Sequence, residues 1–153
     1  MRSDIYVVGI GNPLREDDQV GLHLIERLEG HFTGGFHGIK LYEPDIALAE
    51  TIAGVPNLLI IDALAAEKEL PYRMIELAPA DNFCPTGGFS SHVFDWPMLL
   101  SMARDLFGSA PRTFLCGVRA HRFGISEQLS QECQADADAA FSYLCAYLGL
   151  TGC

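Results

Sequence analysis

The sequence predicts an α/β fold, a three-layer α/β/α sandwich around a twisted sheet that is mostly parallel and mixed at one edge. Three observations carry the prediction. Strand-like apolar runs alternate along the chain with segments whose apolar residues recur at helical spacing. Leu58-Leu59-Ile60-Ile61 is continuously apolar, as a parallel strand covered on both faces must be. Tyr72 to Leu77 alternates polar and apolar residues and follows a Lys/Glu loop closely enough to pair as an antiparallel edge. Right-handed crossovers then place helices on both faces of the sheet and ligands beyond the carboxyl ends of its strands.

Ile5 to Ile10 is a buried strand, and Val20, Leu24, Ile25 and Leu28 recur every 3 to 4 positions to give a first helix ending near Gly30. After a glycine-rich loop, Ile39 and Leu41 belong to a second strand. A helix from about Asp45 carries Ile46, Ala49 and Ile52 and is closed by Pro56 and Asn57. Leu58 to Ile61 takes a central place in the sheet and Tyr72 to Leu77 an edge. From His92 onward Val93, Trp96, Leu100, Ala103 and Phe107 share one helical face, with Pro97 tolerated in the first turn and Ser90 or Ser91 as the cap. Thr113 to Val118 is a further strand. Ser130 opens a last helix whose core face is Cys133, Ala137, Ala140, Phe141, Leu144 and Leu148. With no repeat, low-complexity tract or linker, residues 1–153 read as one domain.

The 153 residues, 49% of them hydrophobic, supply a substantial core without disulfide help. A net charge of -10 argues against nucleic acid or an anionic membrane surface as partner, because the field of the whole chain repels both. No apolar run approaches the roughly 20 residues of a membrane helix, and the amino terminus lacks a signal-peptide pattern, so the expected location is cytoplasmic. Cys84, Cys116, Cys133, Cys145 and Cys153 are odd in number, scattered and never paired as C-x-x-C, which indicates neither a disulfide scaffold nor a thiolate zinc site. Cys116 reads as a small core hydrophobe and Cys84 as a loop residue with nothing nearby to form its thiolate.

Chemistry gathers at element ends. The stretch from Val7 to Gly21 passes from an apolar strand through Gly9-Ile10-Gly11 to Glu16-Asp17-Asp18 and straight into a helix. The strand Leu58 to Ile61 ends in Asp62, and the loop Gly87-Gly88-Phe89-Ser90-Ser91 ends in His92. Taken singly, each residue has a structural reading: Asp62 capping the next loop, the acidic run favoured by the helix dipole, His92 at a helix start. A carboxylate ending a buried strand is nevertheless costly unless it is paired, hydrogen-bonded or metal-bound. Two carboxylates and an imidazole at one end of a sheet form a mixed N/O set suited to nickel, zinc or manganese, or to general acid/base work. Within the trio, Asp18 is the expected inward ligand, Asp17 its solvated or capping neighbour and Glu16 a loop residue. Gly9-Ile10-Gly11 does not complete a dinucleotide fingerprint, and three carboxylates would repel a phosphate at that helix start. No G-x-S-x-G elbow is present. Arg119, His121 and Arg122, after the last strand, are either solvated or able to contact a peptide or carboxylate.

The run from Gly9 to Gly21 resembles the G-x-G-N-x-L-x-x-D-[DE]-x-x-G opening of the hydrogenase maturation proteases, and Leu59-Ile60-Ile61-Asp62-Ala63 and His92 are similar to that family's second and third motifs. Gly117-Val118, Gly124, Leu129 and Ser130 resemble its closing strand, loop and helix. The resemblance implies an endopeptidase that removes the carboxy-terminal extension of a nickel-iron hydrogenase large-subunit precursor. It places the family's metal-binding and catalytic positions on Asp18, Asp62 and His92. It further implies that the nickel is supplied by the substrate, with other divalent metals able to substitute, and that the hydrogenase large-subunit precursor is the partner. Tyr42-Glu43-Pro44-Asp45, in place of an Asp-Gly-Gly-Thr-like turn, and Gln19, in place of a small residue, depart from the pattern and bear on substrate selectivity. Two other readings stay open: a non-catalytic accessory protein that binds nickel or the precursor, and a small-molecule or nucleotide-binding module. Metal-free aspartic-type catalysis by Asp18 and Asp62 is a variant of the first.

Overall fold

The computed structural model describes residues 4–43, 45–65, 70–80 and 95–150. The elements run β1 (Ile5–Ile10), α1 (Val20–His31), β2 (His37–Leu41), α2 (Leu48–Ala53), β3 (Asn57–Ala65), β4 (Tyr72–Leu77), α3 (Trp96–Phe107), β5 (Arg112–Ala120) and α4 (Gln131–Tyr147), with a 3-10 turn, Glu16–Gln19, joining β1 to α1. The sheet order is β2-β1-β3-β5-β4, parallel throughout except for β4, which runs antiparallel to β5 at the edge. The expected mixed α/β/α sandwich is present. Among the described residues no helix is long and apolar enough to cross a membrane.

β3 is central because its side chains are apolar on both faces. Leu58, Leu59, Ile60 and Ile61 are at most 1% exposed, each such side chain contributing about 1.5–3 kcal/mol. Leu59 and Ile61 join Val7, Cys116 and Val118 under α1 and α4. Leu58 and Ile60 join Val8 and Ile10 under α2 and α3. Because β1, β3 and β5 run parallel, their carboxyl ends lie along one rim.

Four local expectations change. α2 begins at Leu48, not near Asp45, because Asp45 Oδ1 takes the Ala47 amide at 3.0 Å in a turn before the helix; Ile46 is left 57% exposed. The cap of α3 is Asp95, whose Oδ1 accepts from the Met98 amide at 3.0 Å, with Pro97 in the first turn; Ser90 and Ser91 lie outside the described residues. Phe107, in the last turn of α3, is exposed rather than part of its core face. Cys116 and Cys133 are free and buried, whereas Cys145 is disulfide-bonded, a link that five scattered cysteines did not announce. Ser130 caps α4 as expected, its Oγ accepting from the Cys133 amide.

Candidate active site

The rim is built by close backbone approach. A Cβ on Gly11 would strike the Asp18 carbonyl oxygen, and one on Gly21 would strike the carbonyls of both Ile10 and Ile61. Glycine at these two positions lets the 3-10 turn and the start of α1 press against the ends of β1 and β3. Asn12 completes the turn: its side-chain Oδ1 accepts from the Leu14 amide, and its own amide donates to Asp18 Oδ2, both at 2.9 Å.

β3 does not stop at Asp62 as expected but stays paired with β5 as far as Ala65, so Asp62 lies within the strand, three residues before its end; it is partly exposed at its surface yet enclosed by protein on most sides. Burial pushes its carboxyl up to about 7; the Ala63 amide, donating to Oδ1 at 2.8 Å, works against the shift, and the negative charge of Asp18 adds to it. Among the described residues, the Ala63 amide is the one hydrogen-bond donor to this carboxylate. The fold thus brings Asp18, in the 3-10 turn after β1, near enough to Asp62, in the carboxyl-terminal half of β3, for the charge of one to act on the other. His92, the third expected member, lies outside the described residues. Among the described residues no group of three or more His, Cys, Asp or Glu is placed to hold a metal ion.

Asp17 departs from expectation. It is fully buried, not solvated, and its carboxylate accepts from the amides of His121 and Arg122 at 2.8 Å, from the Ser130 amide at 2.7 Å and from Ser130 Oγ at 2.8 Å. Burial opposes ionisation, but these donors outweigh it and hold the carboxyl below its ordinary range. Asp17 therefore fastens the 3-10 turn to the loop between β5 and α4, helped by a backbone bridge between Arg15 and Ser126. In the pair Asp17-Asp18 one carboxylate is the anchor and its neighbour faces the rim.

Sequence reasoning missed Asp136. It is 5% exposed on α4 and takes Arg119 Nε and Nη2 at 2.9 Å and His121 Nε2 at 2.6 Å. Arg119 and His121 are thus both bound to Asp136, with side chains that stay partly exposed. Arg122 makes the outer pair, a 3.5 Å contact with Glu132. The available signal was an aspartate on the otherwise apolar face that includes Cys133, Ala137 and Ala140, where a carboxylate demands a cation.

No protein-family model matches the chain, and no curated protein matches it by sequence. Solved structures do. The hydrogenase maturating endopeptidase HybD from E. coli superposes with a TM-score of 0.75 over 97% of this chain and 93% of its own, at 25% identity. The chain is a structural homologue of the hydrogenase maturation endopeptidases. Two more share the fold: the [NiFe] hydrogenase maturation protease HycI from Thermococcus kodakarensis, with a TM-score of 0.70 at 22% identity over 96% of this chain and 93% of that one, and the hydrogenase 2 maturation peptidase from a Thaumarchaeota archaeon, with 0.68 at 18% over 95% and 98%. The present chain carries Asp18 and Asp62 on the side of the sheet where β1, β3 and β5 end.

Proposed function

We propose that this chain is a hydrogenase maturation endopeptidase that removes the carboxy-terminal extension of a nickel-iron hydrogenase large-subunit precursor. The observation that carries the reading is the interacting carboxylate pair Asp18 and Asp62 at the rim of a fold shared with such enzymes. In this reading Asp18, Asp62 and His92 engage nickel carried by the precursor. Two carboxylates and one imidazole leave coordination positions for substrate donors, so the site engages strongly only when a loaded precursor completes it. Leu14, Phe123 and Ile125, exposed near the rim, supply apolar surface for a protein substrate.

A second reading of the chemistry is favoured by the Asp62 carboxyl at about 7, which is suited to exchange a proton near neutral pH. Asp18 and Asp62 would then act as an aspartic-type acid/base pair without metal. Cleavage of purified precursor tests both. Intact precursor after incubation rejects the endopeptidase and leaves a binding role; cleavage that survives chelators and the His92→Ala change favours the metal-free pair. Anomalous scattering from nickel- or cadmium-soaked crystals locates the ion independently.

A further inference from the structure

The face of the sheet that carries Asp62 holds a groove of about 340 Å³, lined by Leu64, Leu70, Ile75, Gly117, Arg73 and Arg119. Its position follows from register. Asp62 on β3 is paired with Gly117 on β5, and Gly117 with Arg73 on β4, so the three lie in one row across the sheet with their side-chain positions on one face. Adjacent strands are about 4.8 Å apart, which separates the Asp62 and Arg73 backbones by about 10 Å.

The groove is chemically asymmetric. Leu64 folds over Gly117, where a Cβ would strike it, and with Leu70 and Ile75 forms aliphatic walls. Arg119 reaches the groove with Nε and Nη2 already bound to Asp136. Arg73 is exposed and makes no ion pair among the described residues. A cation so placed is notable in a chain of net charge -10, because it offers an anion a foothold on a surface that otherwise repels it.

We infer that this groove is a specificity subsite for the polypeptide being cleaved: it takes an aliphatic side chain between Leu64, Leu70 and Ile75 and an acidic side chain at Arg73. The inference rests on the endopeptidase reading and adds a selectivity rule to it. An extended peptide advances about 3.3 Å per residue. A chain whose scissile bond sits at Asp62 therefore brings to Arg73 a residue about three positions away.

The test has two arms. In the kinetic arm, precursor is cleaved by the wild-type chain and by the Arg73→Glu and Arg73→Lys variants. Arg73→Glu is expected to raise KM at least tenfold more than it lowers kcat, Arg73→Lys to stay near wild type, and a Glu-to-Lys change about three residues from the cleavage point to restore binding to Arg73→Glu. In the binding arm, N-acetyl-Leu-Glu N-methylamide is titrated into the wild-type chain and amide NMR shifts are read at Leu64, Arg73 and Gly117. Those shifts should vanish in Arg73→Glu and with the Leu-Lys analogue. Normal cleavage with an unchanged KM in Arg73→Glu and no groove shifts would overturn the subsite. Groove shifts without cleavage of any precursor by the wild type would instead reject the endopeptidase reading and leave the acidic-ligand groove standing.

Discussion

Asp17 and Asp18 are sequence neighbours with opposite fates, and the difference is one of donors. Asp17 meets four hydrogen-bond donors from the β5–α4 loop and Ser130; Asp18 meets the Asn12 amide and the field of Asp62. Asp62 sets a pH signature. Its folded carboxyl keeps a proton up to about 7, against 3.8 for an ordinary aspartate, so the native state holds the extra proton between those values. The stabilisation is complete below 3.8 and lost as pH rises through about 7. Urea unfolding should therefore show stability declining across that interval. Asp62→Asn should flatten the decline and be more stable than wild type at pH 8 by at least about 1 kcal/mol; identical pH profiles would contradict the buried carboxyl. The same substitution, like Asp18→Asn and His92→Ala, should lower precursor cleavage by about 100-fold or more if all three side chains serve the reaction.

Two elements hold the rim in place: the 3-10 turn, which also carries Asp18, and the start of α4. Asp17 ties them together, and truncating it leaves the Ser130, His121 and Arg122 amides without their acceptor. Asp17→Ala should cost about 3 kcal/mol in chemical denaturation and weaken cadmium binding at Asp18 by loosening the turn. Unaltered metal affinity in the folded variant would separate anchoring from site geometry. Gly21→Ala tests the other contact of the turn. Its methyl group meets the carbonyls of Ile10 and Ile61, so α1 must withdraw from the sheet ends, and thermal unfolding should fall markedly compared with Gly30→Ala, where a Cβ meets nothing within 4 Å.

At the scale of the whole molecule, the parallel strands β1, β3 and β5 end on one side of the sheet, in a chain of net charge -10. In the proposed reading, recognition of a protein substrate there depends on apolar rim residues and on the metal the substrate carries. Ile125, 96% exposed, is the plainest test: Ile125→Asp should raise KM for the precursor several-fold with little change in thermal stability, and an unchanged KM would place the docking surface elsewhere. Precursor prepared without nickel should resist cleavage under conditions that process the loaded form completely. Equal processing of both would favour the metal-free carboxylate pair.

Periodicity and turn chemistry in the sequence determined the order of strands and helices, the central place of Leu58 to Ile61, the antiparallel edge at Tyr72 to Leu77 and the arrival of Asp18 and Asp62 at one end of the sheet. These are local properties: apolar spacing decides which faces are buried, and the glycines at 11 and 21 admit the close approach that the turn requires. Tertiary structure alone decided that Asp17 is a buried anchor and not a solvated neighbour of Asp18, because the donors that claim it come from residues 121 to 130, far along the chain. It also decided that Arg119 and His121 serve Asp136, and that Arg73 shares a row with Asp62 through strand register. Composition cannot foretell such pairings, since a carboxylate's partner and its proton affinity depend on what long-range packing places beside it.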